Sequence, residues 1–120
     1  MNGAKKTCMI VDDDFLIRKY LGLMIEEFGY ELCGVAGGAR EAVEKAVQLK
    51  PDTILMDVRL EGEMDGVDAS LEIYPQVPTR IIFITGSAEP DTMARIHLDH
   101  PHAILIKPIG IDQLQRALAS

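Results

Sequence analysis

Four of the five short apolar segments in this sequence end in side chains that could do chemistry. Asp12 and Asp13 follow the first segment, and Asp57 ends the third. Thr85 follows the fourth segment, and Lys107 follows the fifth. If the segments are parallel strands, their carboxyl ends share one edge of a sheet, where ligands bind in open α/β folds. We therefore expect three carboxylates, one hydroxyl and one ammonium to meet at that edge.

This set of side chains predicts phosphoryl transfer. Three carboxylates at close quarters repel one another, and Mg²⁺, which prefers oxygen ligands, removes that conflict. With the metal neutralising Asp12 and Asp13, Asp57 stays ionised and can attack phosphorus to form an aspartyl phosphate. Lys107 supplies a positive charge for the phosphoryl oxygens, and Thr85 supplies a hydroxyl donor. Phosphoryl transfer needs mainly this positioning and charge neutralisation.

The pattern between these residues predicts five strands that alternate with five helices. Strands are predicted at 7–11, 30–36, 53–56, 81–84 and 103–106, and the later helices at 42–49, 67–74, 90–98 and 111–118. The first helix has near-helical spacing of its apolar residues and ends at Gly29: Leu16, Ile17, Tyr20, Leu23, Met24 and Phe28. Four strands are continuous apolar runs, which is typical of a parallel sheet covered by helices on both faces. The sequence thus predicts a doubly wound α/β domain, with a strand order that periodicity leaves open.

Composition limits the class of protein. A chain of 120 residues with 48% hydrophobic and 26% charged residues fits one globular domain. The net charge of -7 argues against direct nucleic-acid binding, which favours clustered Lys and Arg. The short apolar runs predict no membrane insertion, and the first residues lack a signal-peptide core, so we expect a cytoplasmic protein. Cys8 and Cys33 are expected to be small buried hydrophobes in a reducing compartment.

Taken together, the motifs resemble the receiver domains of bacterial two-component response regulators, the CheY-like superfamily, in a single-domain form. The resemblance rests on the acidic pair Asp12-Asp13, on Leu55-Met56-Asp57, on Thr85 and on Lys107-Pro108, in this order on successive strand ends. It covers the whole chain, 1–120, as one domain. It implies a flavodoxin-like, five-stranded sheet with strand order 2-1-3-4-5.

The resemblance also implies roles for single residues. Asp57 would take a phosphoryl group from a sensor histidine kinase or a histidine phosphotransfer protein and signal to a downstream protein by contact. Asp13, Asp57 and the backbone carbonyl of Arg59 would bind Mg²⁺, with Asp12 acting through water. Lys107 would pair with the phosphoryl group across a cis Lys107-Pro108 peptide, and Thr85 would move toward that group. The chain would catalyse only its own phosphorylation and dephosphorylation, and would not otherwise be an enzyme.

Two features depart from the family pattern. Ile104 occupies the position, three before the lysine, that is often aromatic and coupled to the threonine, so any switch must run through the backbone of the strand ends. The loop from Arg59 to Gly66 is about one residue longer than the commonest version. Arg59 could form a surface ion pair with Glu61 or Glu63. It could instead tune the access of water to a phosphoaspartate, as could Ser87.

Other functions fit the sequence less well. A non-phosphorylated interaction module should have lost one of the key residues, and Asp13, Asp57 and Lys107 are all present. The Asp12-x-Asp14 motif resembles a haloacid-dehalogenase-like phosphatase, but no second acidic pair follows late in the chain. His97, His100 and His102 with Asp99 could suggest a metal site, but they straddle Pro101 and are expected to form a solvated loop. The segment 34–38 does not match a dinucleotide-binding glycine motif.

Overall fold

A computed structural model describes residues 5–120, and every predicted element is present. The strands are β1 (Thr7–Val11), β2 (Glu31–Ala36), β3 (Thr53–Asp57), β4 (Arg80–Thr85) and β5 (Ala103–Ile106). The helices are α1 (Phe15–Glu27), α2 (Ala39–Leu49), α3 (Gly66–Ile73), α4 (Pro90–His97) and α5 (Ile111–Ala119). Strand bounds differ from the sequence-based ones by at most one residue at either end. Within residues 5–120, no helix is long and apolar enough to cross a membrane.

All five strands are parallel and lie in the order β2-β1-β3-β4-β5. This is the flavodoxin-like order that the family resemblance implies, and it confirms the predicted fold class. The chain moves outward from β1 to β2 and then crosses to β3, so the order reverses between β1 and β3. Ligands bind at such switch points, outside the carboxyl ends of the strands.

The core has two layers, one on each face of the sheet. On one face, α2, α3 and α4 cover β-strand residues such as Met9, Val11 and Phe83. On the other face, α1 and α5 cover Ile10 and Leu55, among others. The central strand β3 is buried at all five positions, as its continuous apolar run predicts.

Helix α1 buries only part of the apolar face that the sequence predicts, since Ile17, Met24 and Phe28 are partly buried against the core and the other three residues are not. Leu21 and Ile25 are fully buried, whereas the side chains of Leu16, Tyr20 and Leu23 are exposed, Leu16 by 73%. Leu16, Tyr20 and Leu23 form a second apolar stripe, which we call the exposed α1 stripe. Because both stripes have helical spacing, periodicity predicts the helix but does not identify its buried face.

The two cysteines are free thiols. Cys8 is fully buried in β1, and burial raises the pKa of its thiol to about 12. Cys33 is half-buried in β2, and its thiol lies 3.5 Å from the Cys8 carbonyl oxygen. The expectation of a buried hydrophobe is therefore confirmed for Cys8 and holds only in part for Cys33.

Candidate functional site

Strand register brings the acidic residues together. Val11 pairs with Met56 across β1 and β3, so the residues that follow β1 lie next to Asp57. Carboxylate oxygens of Asp12, Asp13 and Asp57 all lie within 4.8 Å of one another. Among the residues that the structure describes, this is the one cluster of three or more acidic, His or Cys side chains with the spacing of a metal site.

Hydrogen bonds hold the turn after β1 in place. The Asp12 amide donates to Ala36 at 3.1 Å, and the Asp14 amide donates to Asp12 Oδ1 at 2.8 Å. The Asp14 carboxylate caps α1 by accepting from the Leu16 and Ile17 amides. This capping role accounts for Asp14 in the Asp12-x-Asp14 pattern without a phosphatase function.

Lys107 reaches the acidic cluster from the fifth strand end. Thr85 pairs with Ile106, and the Lys107 amide donates to the Thr85 carbonyl at 2.8 Å. The Lys107 ammonium lies 3.5 Å from Asp57 Oδ2 and 3.7 Å from Asp12 Oδ2. The Lys107-Pro108 peptide is cis, as the family resemblance implies.

The charge balance at the cluster fits a divalent cation. Burial raises the pKa of Asp57 to about 6, the Asp12 carboxylate adds to that rise, and Lys107 and the Arg59 amide oppose it. Asp12 is 1% exposed, and its Oδ2 has no hydrogen-bond partner among the described residues. A hard cation with oxygen ligands would satisfy this oxygen and favour the carboxylate form of Asp57.

Thr85 is buried at the edge of the site and already has a hydrogen-bond partner. Its hydroxyl donates to the Ser87 carbonyl at 3.0 Å and accepts from the Ser87 amide at 3.2 Å. The Ser87 hydroxyl in turn accepts from the Glu89 amide at 3.2 Å, directly before α4. The resting hydroxyl is therefore tied to the loop that leads into α4.

The cluster opens into a cleft of about 340 Å³. The cleft wall includes Asp13, Asp57, Thr85 and Lys107, together with Glu89 and Thr92 from the start of α4. Sequence reasoning missed Glu89 and Thr92. Pro90 is the signal that could have identified them, because proline is common in the first turn of a helix. It begins α4 directly after the loop that follows β4, and the start of that helix lines the cleft.

The start of α3 packs directly on the backbone of Asp57. The Gly66 amide donates to the Val58 carbonyl at 2.8 Å. A Cβ on Gly66 would overlap the Asp57 carbonyl oxygen and lie 2.9 Å from both Asp57 C and Met56 Cγ. Glycine is therefore required here for close approach of two backbone segments.

Arg59 is exposed and lines the cleft. The expected ion pair with Glu61 or Glu63 is wrong for this structure, since no such pair is formed within the described part of the chain. Glu61 and Glu63 flank Gly62, which has a positive φ of 105°, and they line a different hollow, beside the start of α2. A role for Arg59 at the cleft stays a prediction.

The histidine segment forms no metal site in the described residues. His100 stacks on Tyr74 with ring centroids 4.3 Å apart, and His102 lies 3.1 Å from the Ser120 hydroxyl.

The expectation of a solvated loop is wrong for Asp99, which is 1% exposed because the turn after α4 folds against the core. Burial raises the pKa of Asp99, and the nearby Ser70 hydroxyl opposes that rise without forming a hydrogen bond of ordinary geometry.

Comparison with known proteins identifies the family. The model of the response regulator receiver domain matches residues 8–119. The fold, the strand-end acidic cluster and this match define a receiver domain, and the chain belongs to the response regulator receiver family of two-component signalling. Receiver domains of this family are phosphoacceptor switches.

Individual relatives agree with this assignment. The transcriptional regulatory protein PdtaR of Mycobacterium tuberculosis is 38% identical over 116 residues, which are 97% of this chain and 56% of PdtaR. The chemotaxis protein CheY of Thermotoga maritima is 42% identical over 82 residues, 68% of each chain. The chain thus spans about half the length of PdtaR.

A solved structure is also similar. The signal receiver domain of a modulated diguanylate cyclase from Desulfovibrio desulfuricans has a TM-score of 0.89 and 34% identity. The alignment covers 97% of this chain and 92% of that one.

A methylesterase/glutaminase of Carboxydothermus hydrogenoformans is 46% identical over 84 residues, but these are only 23% of its length. Similarity to that enzyme therefore does not make this chain an esterase.

Proposed function

We propose that residues 1–120 form a single receiver domain in which Asp57 accepts a phosphoryl group. The donor would be a sensor histidine kinase or a histidine phosphotransfer protein, and the domain would act in the cytoplasm. The observation that carries the proposal is the Lys107 ammonium 3.5 Å from Asp57, inside a cluster of three carboxylates. This geometry combines a nucleophile, a cation and room for a metal in one cleft.

The residues would divide the chemistry as follows. An Asp57 oxygen attacks phosphorus, the bond from phosphorus to the donor breaks, and an acyl phosphate forms. Lys107 neutralises charge on the phosphoryl oxygens, and Thr85 donates a hydrogen bond to one of them. Asp12, Asp13, Asp57 and the Arg59 carbonyl would hold Mg²⁺, which supplies positive charge for the transferred group when bound.

The exposed apolar side chains of α1 support a protein partner. The exposed α1 stripe follows directly after the acidic turn, and Leu16, Tyr20 and Leu23 are exposed by 73%, 45% and 58%. Neighbouring exposed apolar side chains of this kind are typical of protein interfaces. The net charge of -7 disfavours direct nucleic-acid contact, so signalling to a downstream protein by contact is the proposed output.

The direct test is intact-mass measurement after incubation with Mg²⁺ and acetyl phosphate. We expect a gain of one phosphoryl group that requires Mg²⁺ and is absent in Asp57→Asn. A wild-type chain that gains no phosphoryl group under conditions where it binds Mg²⁺ would overturn the proposal. That result would instead favour a non-phosphorylated interaction module.

A further inference from the structure

Arg18, on the first turns of α1, contacts the acidic turn from outside the cleft. Its Nη1 donates to the backbone carbonyl of Asp12 at 2.6 Å. The Arg18 amide also donates to the Asp14 carbonyl at 3.0 Å. The side chain therefore connects α1 back to the residue that precedes Asp13.

The position of the guanidinium is defined by its surroundings. Gly37, in the loop after β2, leaves space for it, since a Cβ there would lie 3.2 Å from Arg18 Nη1. The guanidinium carbon also lies 5.8 Å from the centre of the Phe15 ring. Held between these two neighbours, a half-buried side chain loses little further freedom when it donates to Asp12.

No contact joins Arg18 to a carboxylate oxygen of the cluster within the ranges that the structure describes. Its direct contact with the cluster is therefore made through the Asp12 backbone, and its charge acts on the carboxylates only from a longer distance. A hydrogen bond from a charged donor is short and directional, so it restricts the peptide plane between Asp12 and Asp13. That peptide plane sets the direction in which the Asp13 carboxylate leaves the chain.

We propose that Arg18 is a positioning residue, which holds the Asp12–Asp13 turn in the geometry that a divalent cation needs. The inference rests on the proposed function, because it concerns the metal that phosphoryl transfer would use. Mg²⁺ demands near-ideal octahedral geometry, so a turn that samples several orientations binds it more weakly. Arg18 does not line the cleft, so its loss should weaken metal binding more than it slows transfer once metal is bound.

The test is an Mg²⁺ titration of the unphosphorylated protein, followed by NMR shifts of backbone amides. We expect Arg18→Ala to bind Mg²⁺ about 3–10-fold more weakly, the effect of one lost hydrogen bond. Lys19→Ala is the matched control, because it removes an equal charge from the same helix turn without a contact to Asp12, and it should change affinity less than about twofold. Arg18→Lys keeps the charge and one donor and should recover part of the loss.

Phosphorylation gives the second readout. With acetyl phosphate, Arg18→Ala should need more Mg²⁺ for half-maximal mass gain and reach a near wild-type rate at saturating Mg²⁺. Equal Mg²⁺ affinity in Arg18→Ala and Lys19→Ala would overturn the inference, as would a loss of maximal rate with unchanged affinity. If the wild type binds Mg²⁺ without gaining a phosphoryl group, the proposed function fails and the titration still decides the role of Arg18. Circular dichroism checks folding, and Arg18→Lys carries the test if Arg18→Ala unfolds.

Discussion

Replacement of Gly66 by alanine should damage both the stability of the domain and its site. The new Cβ would overlap the Asp57 carbonyl oxygen and lie 2.9 Å from Met56 Cγ, a neighbour in the buried core. Restoring ordinary contact distances of about 3.5 Å to the Asp57 carbonyl oxygen requires α3 to move by roughly 1.5 Å from the strand. Overpacking of this kind costs about 1–3 kcal/mol, and we expect the upper end because one clash is with backbone.

Urea denaturation of wild type and Gly66→Ala measures this change in the free energy of unfolding. Gly38→Ala is the matched control, since nothing lies within 4 Å of a Cβ there, and loss of a glycine N-cap should cost less than about 1 kcal/mol. Gly66→Ala should also gain phosphoryl groups more slowly, because the displaced helix start moves the Asp57 backbone. A variant as stable as Gly38→Ala and phosphorylated at the wild-type rate would refute the packing argument.

Two further predictions concern one buried and one half-buried polar side chain, Asp99 and Arg80. Burial raises the pKa of Asp99 above its ordinary 3.8. The preference of the folded state for protonated Asp99 therefore stabilises the domain fully below pH 3.8, and this stabilisation is lost as pH rises through the raised pKa. Asp99→Asn should therefore be about 1 kcal/mol more stable than wild type at pH 7, with the difference shrinking toward pH 4 in urea denaturation; a difference independent of pH would contradict this. Arg80 donates to the carbonyls of Ser120 and Leu118 and to the Thr53 hydroxyl, so Arg80→Met should cost about 1–3 kcal/mol and speed hydrogen exchange in the last turn of α5. Unchanged exchange in that turn would show that Arg80 does not hold it.

The fold could be predicted because its main signals are local. Continuous apolar runs identify the strands, and Gly29 and Pro51 mark where α1 and α2 must end. Strand order is different, since four of the five strands are apolar on both faces and their residues do not indicate which strand lies beside them. It came from the family resemblance and not from periodicity.

The candidate site was predictable for a related reason. Its residues stand at strand ends, and parallel strands bring those ends to one edge whatever their order. What sequence could not supply depends on helix rotation and on contacts between distant segments. The buried face of α1, the burial of Asp99 and the hydrogen bond from Arg18 to Asp12 all belong to this class.

The hydrogen bond from the Thr85 hydroxyl to the Ser87 carbonyl would limit how often the proposed switch adopts its active form without phosphorylation. If the Thr85 hydroxyl rotates into the cleft, its hydrogen bond to the Ser87 carbonyl is broken. A hydrogen bond worth about 1 kcal/mol makes such rotations roughly fivefold rarer. In the proposed function, a phosphoryl group on Asp57 would offer the Thr85 hydroxyl a charged acceptor, which forms a stronger hydrogen bond than a carbonyl. In that proposal, the ratio of active to inactive forms with and without the phosphoryl group would depend on how much better this acceptor is than the Ser87 carbonyl.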